Sequence, residues 1–103
     1  MSKSATIIDP IHPGEILREE FLDEYNLSAT AFAKHLGVPP NRITRLIKGT
    51  ASMTADTAFL LAAALKTTPD FWLNLQTQFD LERARLNPET SRKAQAVRPY
   101  EQA

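Results

Sequence analysis

Residues 29 to 48 read ATAFAKHLGVPPNRITRLIK, and this stretch restricts the fold more than any other part of the chain. Phe32, Ala33, Leu36, Val38, Ile43 and Leu46 stand where two helices joined by a tight turn must touch. Ala33 falls at the closest approach, where a larger side chain would force the helices apart. Gly37 can take the left-handed backbone that the turn needs. Ser28 is a good N-cap for the first of the pair, and Pro39 and Pro40 can open the second, which Gly49 stops. Two readings share this pattern: an ordinary αα-hairpin in a helical bundle, and a helix-turn-helix that docks on DNA.

Charge and the outer face of the second helix favour DNA. Six acids and two bases give residues 1–25 a net charge of −4, whereas residues 26–55 hold Lys34, Arg42, Arg45 and Lys48 and no acid. The remaining residues balance, so a chain of zero net charge carries a local positive field of the kind that phosphates require. Projected at 100° per residue, Ile43, Leu46 and Ile47 face one way and Asn41, Thr44, Arg45 and Lys48 the other. Asn41 can pair with adenine, Arg45 with guanine and the Thr44 methyl with a thymine methyl, while Lys48 and Arg42, at the edge, suit phosphates. A merely solvated face would leave unexplained why the uncompensated bases coincide with the helix a major groove would accept.

The rest of the chain reads as all-α: five helices, with the pair above second and third. Proline at position 13 opens GEILREEFLDEY, with Leu17, Phe21 and Tyr25 as its apolar stripe. Thr54 caps a fourth helix, ADTAFLLAAALK, apolar almost all round and therefore expected at the centre. Thr68 and Pro69 open a fifth, ending at Asn87-Pro88. Its Phe71, Trp72, Leu75 and Phe79 form one arc, for the core. Leu73, Thr77, Leu81 and Ala84 form another, which one small domain cannot also bury and which is read as a seam between two copies about a twofold axis. A dimer implies a palindromic double-stranded site with half-sites one turn apart.

A length of 103 residues at 43% hydrophobic content suits one domain. Residues 1–11 are read as an N-terminal arm in which Ile7, Ile8 and Ile11 can pack on the domain. Residues 12–86 form the domain including the dimerisation helix, and 87–103 a polar, flexible tail. There is no apolar run long enough for a membrane and no secretion-signal pattern, so a cytoplasmic, nucleoid-associated protein without membrane contact is expected. Cysteine is absent, as are an HExxH and a glycine-rich phosphate loop. His12, at the start of a helix, and His35, on an outer side, are read as structural or solvated. No catalytic residue, metal or cofactor is expected.

The segments HPGEILREEF, LSATAFAKHLGV, NRITRLIKG and above all FWLNLQTQFDL, together spanning His12 to about Arg85, resemble the HigA family of antitoxins. The resemblance implies a five-helix, lambda-repressor-like domain, dimerisation through the last helix, repression of the chain's own operon and neutralisation of a HigB/RelE-like, ribosome-dependent mRNA endonuclease. A stand-alone repressor without a toxin is the alternative. Similar sequences often start the third helix with Ser-Arg, and Pro39-Pro40 removes that hydroxyl cap and two backbone donors. Glu15, Glu19, Glu20 and Asp23 on the acidic first helix, with Glu24, are candidates for the surface that meets a basic toxin.

Overall fold

The computed structural model describes residues 9–101, and the secondary structure it shows among them is helical. α1 spans Pro13–Ile16 and continues without a break as a π-helical stretch, Leu17–Leu22. α2 (Ala29–Leu36), α3 (Pro40–Ile47), α4 (Ala55–Leu65), α5 (Pro69–Leu86) and α6 (Pro88–Ala96) follow. Ile7 and Ile8 lie outside the described residues, and Ile11 is exposed.

Each cap inferred from the sequence closes a helix as its chemistry requires. The Ser28 hydroxyl accepts from the Ala31 N–H at 3.0 Å, and Thr54 and Thr68 accept in the same way from Thr57 and Phe71. Gly37 ends α2 at φ 80°, which lets the Val38 N–H reach back to the Ala33 carbonyl at 3.0 Å. Ala33 itself is fully buried where α2 meets α3.

The core is built from Leu17, Leu22, Phe32, Ala33, Ile43, Leu46, Met53, Ala58, Leu61, Leu65 and Trp72. Trp72 is its largest member. Phe71 meets its ring edge-on, Phe21 lies against it at 5.4 Å, and its indole N–H donates to Thr67 Oγ1 at 2.8 Å. The buried tryptophan thus hides its apolar body without losing its one hydrogen bond.

Four sequence expectations change. The stripe Leu17, Phe21, Tyr25 keeps Leu17 and a half-buried Phe21 but gains Leu22 and loses Tyr25, because the π-helical stretch bonds i to i+5 and turns the later residues: Leu22, five after Leu17, is buried, and Tyr25 is 58% exposed. α4 is not enclosed on all sides, since Phe59 points outward at 65% exposure. On α5, Phe71 lies at the edge of the core, and Gln76 takes an inside position beside Trp72. The segment from Asn87, read as an aperiodic tail, forms α6: the Asn87 side chain accepts from the Glu89 N–H at 3.0 Å, Pro88 fills the first turn, and Glu89 pairs with Arg92. α6 buries no residue and packs on α5, so capping and local pairs sustain it more than any apolar face.

Candidate nucleic-acid interface

α3 is held from beneath and bare above. Ile43 and Leu46 are buried against the body, while Asn41, Arg42, Arg45 and Lys48 are exposed and Thr44 is half-buried between them. Pro39 precedes the helix with no side-chain cap, and Arg42 donates its N–H to the Pro39 carbonyl at 3.0 Å. None of the ion pairs among the described residues involves Arg42, Arg45 or Lys48, so their charge stays available to a polyanion. Asn41, Arg42 and Arg45 also line an open groove of about 490 Å³ whose far wall is Ala51, Ser52, Thr54, Asp56 and Thr57.

The lower end of α3 is set by the start of α1. Gly14 lies so close to it that an added Cβ would fall 1.8 Å from the Leu46 carbonyl oxygen. His12, only 8% exposed, caps α1: its Nδ1 accepts from the Gly14 N–H at 2.8 Å, and its ring meets Phe79 of α5 edge-on. Burial pushes its pKa below the ordinary 6.5, against an opposing backbone hydrogen bond to Ala51 and the nearby Asp80 carboxylate.

A helix-turn-helix family model matches residues 17–72, more than half of the chain. Antitoxin HigA-1 of Vibrio cholerae is 44% identical over 72 residues, 70% of this chain and 68% of that protein. A solved addiction module antidote protein of the HigA family from Coxiella burnetii superposes with a TM-score of 0.80 at 47% identity, covering 90% of this chain and all of the other. Pseudomonas aeruginosa antitoxin HigA, solved with the higBA promoter, gives 0.81 at 34% identity over 89% and 99% of the two chains. This chain belongs to the HigA family of helix-turn-helix antitoxins.

As a HigA-family protein it belongs among DNA-binding regulators and not among enzymes. The structure gathers the five residues inferred to meet DNA onto α3 and its exit, with Thr44 the least accessible. The outer arc of α5 is mixed: Thr77 and Leu81 are exposed, Ala84 is half-buried, and Leu73 packs against the core of its own domain. Of the acids, Glu19, Glu20 and Asp23 are exposed and Glu15 half-buried; Arg18 pairs with Glu19 at 3.3 Å and Asp23 at 3.6 Å, partly neutralising that surface. Sequence reasoning missed Gln76, and of its two readings of His12, structural or solvated, the structure shows the structural one, as a buried cap. The signal for both was present: a polar residue on an apolar face, and a histidine with a free ring nitrogen two residues before a helical N–H. No helix among the described residues is long and apolar enough to cross a membrane.

Proposed function

We propose that this HigA-family protein, as a homodimer joined along the outer arc of α5 (Leu73, Thr77, Leu81, Ala84), binds a palindromic operator in its own promoter. The two α3 helices enter major grooves about one turn, roughly 34 to 36 Å, apart. Bound there it represses its operon, in the cytoplasm and at the nucleoid. The acidic surface of the first helix covers a HigB/RelE-like mRNA endonuclease whose RNA-binding face is basic. Residues 12–86 are the working unit of this activity.

The carrying observation is the division of α3: two buried apolar anchors below, and above them three cations and an asparagine that form no ion pair among the described residues. That the Pseudomonas relative was solved with its promoter supports the same role for this helix. A titration of a duplex carrying the chain's own promoter tests it. Replacing Thr44 and Arg45 together by alanine, with fold and dimer intact, is expected to weaken binding by about 100-fold, and binding should fall steeply with salt. Undiminished binding by this double variant would refute the assignment of α3.

A further inference from the structure

The loop from Lys48 to Met53 carries the chain from α3 to α4, and contacts from three directions hold it. The Thr50 N–H and hydroxyl both donate to the Arg45 carbonyl, at 3.0 and 3.2 Å, which ties the loop to the last turn of α3. The His12 ring lies beside the start of the loop, 3.9 Å from where a Cβ on Gly49 would stand. From α5, Gln76 Oε1 accepts from the Met53 N–H at 2.7 Å. Gln76 is 6% exposed, and its Nε2 donates to Asp80 Oδ1 at 2.9 Å. An ionised carboxylate only accepts, so the Gln76 amino group must face Asp80 and its carbonyl must face the loop. Burial of an amide is tolerable only with both ends satisfied in this way.

We propose that Gln76 is a positioning residue for operator binding: from α5 it fixes the loop after α3, and through Thr50 the last turn of α3, so that Arg45 and Lys48 meet the DNA. The proposal rests on operator binding by α3. Because α5 also carries the proposed seam, this bond joins the His12–Phe79 contact in linking the helix that pairs two copies to the helix that contacts DNA. The separation of the two α3 helices then depends on a contact that lies in neither interface.

Anisotropy titrations of a promoter duplex with the full-length wild type, Arg45→Ala, Gln76→Leu and Gln76→Glu test this. Binding by the wild type and its loss in Arg45→Ala establish the operator reading, and failure of that pair sinks the reading itself. With the pair established, Gln76→Leu strands the Met53 N–H and is expected to bind about tenfold more weakly, with helix content and dimerisation unchanged. Gln76→Glu gives a readout that simple packing does not move. The protonated acid offers a carbonyl to Met53 and a hydroxyl to Asp80, as the amide does, whereas the ionised form repels Asp80. His12, which itself feels Asp80, Arg83 and Glu15, also changes charge with pH, so affinity is expressed relative to the wild type at each pH. Burial and the neighbouring Asp80 raise the introduced carboxyl above its ordinary value of about 4.3, so that ratio should be nearest one at the acid end of the range in which the protein stays folded and fall about tenfold as the carboxyl ionises, at constant helix content. Should Gln76→Leu fail to fold, the pH profile of Gln76→Glu carries the test. A flat ratio, wild-type binding by Gln76→Leu, or a loss of affinity that merely follows a loss of helix overturns the proposal.

Discussion

Replacing Gly14 by alanine sets two principles against each other, and the structure says which wins. Helix propensity alone favours the change by up to about 1 kcal/mol. The new Cβ, however, would stand 1.8 Å from the Leu46 carbonyl oxygen, 2.6 Å from its carbon and 3.0 Å from the Ile47 Cα. All three are backbone atoms of α3 and cannot rotate away, so α1 must leave α3. Overpacking that side chains can absorb costs about 1 to 3 kcal/mol, and a clash between backbones belongs at or above the top of that range. A net loss of about 3 kcal/mol lowers the melting temperature of a domain this size by on the order of 10 °C or more. Gly37 provides the contrast: its Cβ would meet nothing within 4 Å, and only its φ of +80° opposes alanine, a strain of about 1 to 2 kcal/mol. Thermal unfolding followed by circular dichroism and by Trp72 fluorescence should therefore rank wild type above Gly37→Ala and Gly37→Ala above Gly14→Ala. A Gly14→Ala protein as stable as the wild type would refute the inferred contact between α1 and α3.

His12 should make stability depend on pH. Its folded-state pKa lies below the ordinary 6.5, so the folded chain binds fewer protons than the unfolded one; stability is fully present above about pH 6.5 and declines as pH falls through that value toward the folded pKa. Melting temperatures measured between about pH 8 and about pH 5 should show that decline, and His12→Asn, which keeps a capping oxygen but cannot titrate, should flatten it; parallel curves would count against His12 as the source. Leu81→Glu is expected to give a monomer by light scattering and to lose operator affinity, and a dimer with undiminished binding would remove α5 from the seam. Charge reversal at Glu19, Glu20 and Asp23 should weaken capture of a co-expressed toxin about tenfold or more while sparing operator binding; unchanged capture would place the toxin elsewhere.

Much of the fold was legible because the informative signals are local. Ser28, Thr54 and Thr68 cap helices through their own hydroxyls, and Gly37 turns the chain through its own φ, so a few neighbouring letters suffice. The division of α3 into an apolar and a charged side is likewise a matter of spacing. Where periodicity misled, the helix was not an α-helix: in the π-helical stretch Leu22 joins the inward positions, and Tyr25 is turned out. No propensity of LREEFL announces this. α6 escaped for the opposite reason, since a helix sustained by a cap and an ion pair has no apolar stripe to find.

The residues that escaped at the candidate site share a further property: their partners are distant in sequence. Gln76 on an apolar helix face reads as an interruption until Met53, 23 residues earlier, is seen to offer it an N–H. Gly14 reads as a poor helix residue until Leu46 is found against it. In each case the sequence shows a locally unfavourable choice whose compensation lies on α3 or the loop leaving it. Two such compensations, from α1 and from α5, converge on one short helix end. That helix packs along α2 and buries Ile43 and Leu46 of its own, and the two contacts from α1 and α5 add their restraint at its far end, where the proposed docking in a groove would demand the most precision.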